Sequence, residues 1–151
     1  MLSDFQVEMF DQSYNQNIYC GLYLDNSTQY HIEANTFWHA TNTPATETHV
    51  IGITVNNSGE SNNEIYRNTF KALDIGILAQ NNNRNANGSR GLVLKCNDFG
   101  DNNVVDPSLN DNTYDIAVTD DGQYSNPGIK KSQGSDAHQA SPAGNRFSHA
   151  G

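Results

Sequence analysis

Paired carboxylates are the first residues in this sequence whose types and spacing suggest chemistry. Asp120 and Asp121 are adjacent in the stretch VTDDGQ. Glycoside hydrolysis uses two carboxyl groups, one as acid and one as base or nucleophile, so this pair is a candidate catalytic site. The alternative is an acidic turn at the root of a surface loop, because the pair directly follows a short apolar block that ends at Val118. We favour the turn.

Four aromatic residues form a second candidate site. Tyr19, Tyr23, Tyr66 and Trp38 lie at outward positions of predicted strands or at the start of a link, so together they suggest a platform for binding carbohydrate. The alternative is a set of ordinary tyrosines on the face of a sheet, or a surface that another domain covers.

Histidine and cysteine are the residue types that metal chemistry would use. The five His share no metal-site spacing, and the two Cys fit no zinc motif. Cys20 and Cys96 fall at inward positions of predicted strands, so we interpret both as buried thiols that pack like small apolar side chains. The sequence therefore predicts no metal site and no cofactor, with calcium left open.

Composition restricts the class of protein. The chain has 151 residues, a net charge of -9 and 22 Asn. This length supports a core, and we treat residues 1–151 as a single domain. The negative charge argues against nucleic acid and anionic membrane surfaces as partners. No apolar run approaches the 18 residues of a membrane-spanning helix, and the N-terminus does not resemble a signal peptide.

The elements that position these residues are short and repeated. The motif Asn-x-Phe occurs four times, and a degenerate N-terminal copy is suggested at residues 3–5. Between the copies lies a block of alternating apolar residues, at 20–24, 51–55, 75–79 and 114–118, which is typical of strands. Gly is the second residue of three blocks, and Asp115 replaces it in the fourth. The longest link, residues 120–141, is a surface insertion that we expect to fold over the C-terminal edge.

Stacking of the repeats would place equivalent side chains in ladders. Each Asn of the motif is predicted to adopt the left-handed conformation and turn the chain, with its amide bonded to the Asn of the next repeat. The Phe residues are predicted to stack. The predicted members are Asn35, Asn68, Asn97 and Asn145 for the amide ladder, Phe37, Phe70, Phe99 and Phe147 for the aromatic stack, and Cys20/Ile51/Ile75/Tyr114, Leu22/Ile53/Ile77/Ile116 and Leu24/Val55/Ala79/Val118 for the inward rows.

These repeats resemble the coils of right-handed parallel β-helices of the pectate-lyase-like superfamily. The stretches GLVLKCNDFGDN and NTYDIAVTDDG, followed by NPGIKKSQGSDAHQASPAGNRFSH, are similar to C-terminal coils of large secreted or surface proteins of Bacteroidetes. The resemblance covers residues 17–149. It implies an all-β solenoid, a right-handed parallel β-helix of four to five coils with surface insertions. A β-sandwich of hairpins is the structural alternative, although hairpins do not normally repeat one short sequence at the same point of each unit.

The resemblance also implies what an active site would need. Polygalacturonases of this fold use Asp residues on neighbouring coils together with Gly-His-Gly and Arg-x-Lys motifs. Gly-His-Gly is absent here, and GIKK at residues 128–131 is a poor match. A pectate-lyase-like site needs clustered carboxylates for calcium and an Arg base, but Asp25, Asp74 and Asp115 do not fall in one row.

The sequence therefore favours a non-catalytic β-helix module with a structural or adhesive role in a secreted or cell-surface bacterial protein. A carbohydrate-active or carbohydrate-binding module, similar to a polysaccharide lyase or hydrolase and acting on acidic or neutral glycans, is the alternative. The expected partners are other coils or domains of a longer parent protein, or further copies that assemble through open β-helix ends. Glycans are partners only under the alternative, and neither nucleic acid binding nor membrane insertion is expected.

Overall fold

The computed structural model describes residues 1–9, 18–39, 49–100, 112–134 and 143–148. Within these ranges the protein is all-β, with eleven strands and no helix. The strands are β1 (Leu2–Ser3), β2 (Gln6–Met9), β3 (Ile18–Asp25), β4 (His31–Glu33), β5 (Thr36–His39), β6 (His49–Asn56), β7 (Asn63–Tyr66), β8 (Thr69–Lys71), β9 (Ile75–Gln80), β10 (Leu92–Lys95) and β11 (Tyr114–Thr119).

The strands form three parallel sheets that the chain visits in a fixed order. Sheet A has the order β1-β4-β7-β10, sheet B has β2-β5-β8, and sheet C has β11-β9-β6-β3. We call one passage through A, B and C a rung. Rungs 1 to 3 are β1–β3, β4–β6 and β7–β9, and rung 4 contains β10, a bridge at Asp98 and β11. Residues 143–148 form the start of rung 5, where Arg146 bridges to Asp98.

Apolar side chains between the sheets form the core. Two of the predicted rows have the predicted register in sheet C, where Ile53 pairs with Leu22 and Ile77, and Val55 with Leu24 and Ala79. Burying side chains of this size contributes about 1.5–3 kcal/mol each. The innermost members of the core cluster are Ile53, Val55, Ile65, Phe70, Ile77, Ala79, Leu92 and Phe99, each with no exposed surface.

The third predicted row lies elsewhere. Cys20, Ile51, Ile75 and Tyr114 are in register, but none belongs to the central core cluster; Ile51 is buried, whereas Tyr114 is 62% exposed. The core member from this part of β6 is Val50. The alternation breaks because Gly52 also faces inward, so that strict period 2 assigns the residues before the glycine to the wrong face.

The glycines of sheet C form a column that accommodates the phenylalanines. A Cβ on Gly52 would lie 2.7 Å from Cδ1 of Phe70, and a Cβ on Gly76 would lie 2.8 Å from Cδ1 of Phe99. Both distances are shorter than any Cβ tolerates, so these positions must lack a side chain. Each glycine thus makes room for the Phe of the following rung. The sequence displays this repeated glycine but does not by itself reveal the aromatic ring beside it.

The chain turns from sheet A to sheet B at the residue before each ladder Asn, not at the Asn as predicted. Positive φ occurs at Asp4, Ala34, Arg67, Cys96 and Gly144, with values of 53° to 67°. A left-handed residue at the corner projects its side chain away from the core, whereas the following Asn is buried in rungs 2 to 4. Asn does take the left-handed conformation after sheet C, at Asn26, Asn57 and Asn81.

The first rung departs from the repeat in its register. Leu2 pairs with Ile32 and Val7 with Phe37. Phe5 therefore occupies the position of Asn35, and its N–H donates to the Asn35 Oδ1. The predicted N-terminal copy at residues 3–5 is thus displaced by two residues, because the left-handed corner at Asp4, rather than the phenylalanine, aligns with the other repeats.

Candidate functional site

The candidate catalytic pair directly follows β11, and Asp121 takes part in the turn there. Asp120 and Asp121 are exposed. The Asp121 N–H donates to Oδ1 of Asn81 at 3.1 Å, and its carboxylate accepts from the N–H of Gln123 at 2.9 Å. These bonds extend a column of polar side chains along the same edge of sheet C, in which Asn81 donates to Asn56. Asp121 therefore has a structural role that accounts for its position.

The other three carboxylates are also held by hydrogen bonds at separate places. Asp25 accepts from Nδ2 of Asn56 at 2.8 Å. Asp74 accepts from the N–H of Val50 at 2.7 Å. Asp115 accepts from both the N–H and the hydroxyl of Ser148, at 2.8 and 2.6 Å. Nowhere in the described part of the chain do three His, Cys, Asp or Glu side chains form a group that could hold a metal ion.

The four aromatic candidates lie on three different sheets. Tyr66 is in sheet A, where Arg67 stacks over its ring at 5.8 Å from the centroid. Trp38 is in β5 of sheet B. Tyr23 and Tyr19 are in β3 of sheet C, but Tyr19 pairs with the core residue Val50 and is partly buried, whereas Tyr23 is 56% exposed. The structure thus does not bring these side chains together into one platform.

The cysteines differ from each other in exposure. Cys96 is exposed, in contrast to the predicted buried thiol, because it is the left-handed corner residue of rung 4. Cys20 is partly buried, and its Sγ lies 3.2 Å from Oγ1 of Thr54. Both thiols are free, so no disulfide links the rungs.

Sheet A carries a polar cluster that the sequence did not suggest. The two ring nitrogens of His31 lie 3.0 Å from Oε2 of Glu33 and 2.9 Å from Oε2 of Glu64. Register explains the contact, since His31 and Glu64 are paired on neighbouring strands. Both ring nitrogens thus face carboxylate oxygens of neighbouring side chains. These side chains are roughly one-fifth to one-third exposed, so the contacts contribute at most about 1 kcal/mol each.

Tyr30, next to β4, packs against the core with its hydroxyl 3.5 Å from the hydroxyl of Ser58. Burial raises the pKa of Tyr30 to about 12, and the hydrogen bond to Ser58 partly offsets this increase. The phenol therefore contributes to the packing of the core and to a contact between neighbouring rungs.

The predicted Asn residues form a continuous ladder between sheets A and B. Asn35 donates through both its N–H and Nδ2 to Oδ1 of Asn68, at 3.0 and 2.9 Å, and Asn68 donates in the same way to Asn97, at 3.0 and 3.2 Å. Asn97 continues the ladder to Asn145. The ladder satisfies polar groups that would otherwise be buried without partners.

Three further Asn side chains, which belong to no repeated motif, have comparable structural roles. Asn83 accepts from the N–H of Ser58, Asn63 accepts from the N–H of Gln29, and Asn112 accepts from the N–H of Leu73. All three Asn are buried. The abundance of Asn was the available signal, but these residues are not evenly spaced, since links of different length separate them.

Exposed apolar side chains concentrate at the two ends of the stack. Among the described residues, seven large hydrophobic side chains are exposed, and every one belongs to the first rung or to the last two. In rung 1 they are Met1, Phe5, Ile18 and Tyr23, and in rungs 4 and 5 they are Tyr114, Val118 and Phe147. The two ends are therefore the candidate interaction surfaces of this protein.

The two ends differ in how their strand edges are covered. At the first rung, no described strand pairs with the outer edges of β1, β2 and β3. At the other end, the side chain of Gln133 accepts from the N–H of Leu94 at 2.6 Å, and Lys130 donates its N–H to the carbonyl of Leu92. Part of the 120–141 insertion thus closes the edge of β10. Unpaired edges are where other strands add to a sheet.

The comparisons with known proteins leave the family open. No protein-family model, no curated protein and no solved structure matches this chain. The described residues also include no helix that is long and apolar enough to cross a membrane.

Proposed function

We propose that the chain is a right-handed parallel β-helix module, a solenoid built from stacked coils. The fixed order in which the chain visits three parallel sheets supports this architecture, as do the in-register ladders of Asn and Phe. Its resemblance to pectate-lyase-like coils in Bacteroidetes proteins supports a place in a secreted or cell-surface bacterial protein.

The proposed role is structural or adhesive and non-catalytic. The observation that carries it is the location of the exposed apolar side chains in the first rung and the last two, where a neighbouring module would cover them. The carboxylates support the same role, because those of Asp25, Asp74, Asp115 and Asp121 all accept hydrogen bonds from the backbone or from the polar columns. Partners would be further coils or domains, or other copies that meet the ends.

A panel of acidic and neutral polysaccharides, with and without calcium, tests the absence of catalysis. We expect no new reducing ends and no unsaturated products from the wild-type protein. Turnover that disappears in Asp120→Asn or Asp121→Asn would overturn the proposal. Asp25→Asn is the matched control, because it removes a carboxylate on the same polar edge of sheet C away from the pair.

A glycan array tests the competing role of carbohydrate binding. We expect wild-type protein and Tyr23→Ala to give the same background signal. Specific glycan binding that Tyr23→Ala abolishes would replace the structural role with that of a binding module.

A further inference from the structure

The contact between successive rungs at the Asn-x-Phe motif uses the same groups each time. The N–H of Asn97 donates to Oδ1 of Asn145 at 3.0 Å. In turn, Nδ2 of Asn145 donates to the carbonyl of Leu94, three residues before Asn97. The residue after each Asn adds a backbone bond, as when Arg146 donates to the carbonyl of Asn97 and accepts from the N–H of Phe99. An incoming rung thus supplies an amide, a short strand and an aromatic ring.

Rung 5 has the backbone groups that would bond to a further rung. The side chain of Asn145 is occupied by rung 4, as described above. Its backbone N–H and carbonyl and the N–H of Phe147 have no hydrogen-bond partner among the described residues, although the equivalent groups of Asn97 and Phe99 are all bonded. Phe147 stacks on Phe99 with an interplanar angle of 5°. It is nevertheless 54% exposed, whereas Phe99 is fully buried.

Contacts with rung 4 hold this surface in place before any partner arrives. Arg146 forms an ion pair with Asp98, and Ser148 is bound twice by Asp115. Asp115 stands where sheet C of the earlier rungs has glycine. A site that is ordered in advance loses less conformational entropy on binding.

We propose that Asn145, Arg146 and Phe147 form a docking site for an extended segment that carries its own Asn-x-Phe motif. The segment binds parallel to residues 145–147. Its Asn accepts from the N–H of Asn145, and its Phe covers the free face of Phe147. This inference rests on the proposed role in assembly and specifies the partner at one of the two ends.

A second copy of this chain does not provide that segment through its first rung. Phe5 stands at the Asn position there, and Val7 stands at the Phe position. Stacking one copy on another would therefore leave the N–H of Asn145 without an amide oxygen. Gln133 and Lys130 already bond to the edge of β10 in sheet A. A docked segment can therefore contact only the short stretch beside sheet B.

Titration with peptides, followed by amide chemical shifts in the full chain, tests the docking site. The probe is a peptide of residues 64–71, EIYRNTFK, and the matched controls carry Asn68→Ala or Phe70→Ala. We expect saturable shifts at the N–H groups of Asn145 and Phe147, and at least tenfold weaker binding of each control, which corresponds to the loss of one buried hydrogen bond or ring contact.

Phe147→Ala in the protein should weaken binding of the probe at least tenfold while its circular dichroism remains that of the wild type. Equal binding of the probe and the Asn68→Ala control would overturn the proposal, as would the absence of shifts at residues 145–147. Self-association that depends on Phe147 would assign the site to a second copy instead. A titration without binding would exclude the docking site but not assembly through the first rung. Polysaccharide turnover would instead exclude the proposed non-catalytic function.

Discussion

The inner rungs and the last rung contain the same motif in two different settings. In rungs 2 to 4 the motif Phe residues are at most 1% exposed, with ring centroids 5.0 to 5.3 Å apart. In rung 5, Phe147 lies 5.9 Å from Phe99 and is 54% exposed. The sequence is equivalent, but only the inner copies have a neighbour on each side. We therefore expect the stabilising effect of the motif to depend on the contact between rungs and not on the motif alone.

The largest expected difference between the centre and the end comes from burying a charge. Ile53 has no exposed surface, so Ile53→Asp places an unpaired carboxylate in the core and should lower the free energy of unfolding by roughly 4 kcal/mol or more. Ile18 is 68% exposed on the first rung, and Ile18→Asp should change it by less than about 0.5 kcal/mol. Urea denaturation measures both. A native-like Ile53→Asp would mean that this row does not face the core.

Removing a ring tests the aromatic column directly. Phe70 is fully buried between Phe37 and Phe99, so Phe70→Ala should cost about 3–5 kcal/mol through lost burial and the cavity that remains. Phe147→Ala should cost less than about 1 kcal/mol because more than half of the ring already contacts water. Thermal and urea unfolding of the two variants, compared side by side, give the ratio. Equal costs would show that the last ring is covered in solution.

The amide ladder should show an intermediate effect. Asn68→Ala leaves the buried N–H of Asn35 without its partner and removes the bond from Nδ2 of Asn68 to the carbonyl of Ile32. The unpartnered donor costs about 1–3 kcal/mol and the lost bond about 1 kcal/mol, so we expect a loss of about 3 kcal/mol in the free energy of unfolding. Asn62→Ala, at an exposed site, is the control and should stay within about 0.5 kcal/mol of the wild type. Similar losses in both variants would contradict the ladder.

The smallest effect should appear in the dependence of stability on alkaline pH. The pKa of Tyr30 is raised to about 12 by burial, from an ordinary value of 10.0. The unfolded chain therefore loses this proton first, and the free energy of unfolding should fall as the pH rises from 10 towards 12, by roughly 2 kcal/mol. Tyr30→Phe should lack this decrease. Denaturation curves at pH 9 and pH 11.5 test it, and an identical decrease in both proteins would exclude Tyr30 as the cause.

The repeated parts of the fold were predictable because short sequence motifs recur in each rung. The Asn-x-Phe motif predicted the members of the amide ladder, and the apolar blocks predicted two of the three inward rows. Both predictions follow because equivalent residues of stacked repeats must lie next to each other. The left-handed corner was assigned to the wrong residue, because Asn and the residue before it are both plausible turn formers and only the register separates them. The same shift explains why Cys96 is exposed, since it is the corner residue of rung 4.

The interaction surfaces were harder to predict than the repeats. The burial of each motif copy depends on whether a further rung packs on it. The local sequences around Phe147 and Phe99 both match Asn-x-Phe and do not show this difference. The sheet that carries each candidate aromatic residue was hard to predict for a related reason. Tyr23, Tyr66 and Trp38 lie in strands of three different sheets, and outward position alone does not tell which sheet carries a residue.

Amide hydrogen exchange compares the inner rungs with the last rung most directly. The N–H groups of Asn35, Asn68 and Asn97 donate to the next Asn and should exchange only when the protein unfolds globally. The N–H of Asn145 should exchange at least about a thousandfold faster, because it lacks such a partner among the described residues. Exchange at Asn145 as slow as at Asn97 would mean that the last rung is already covered, and an open end would then be excluded.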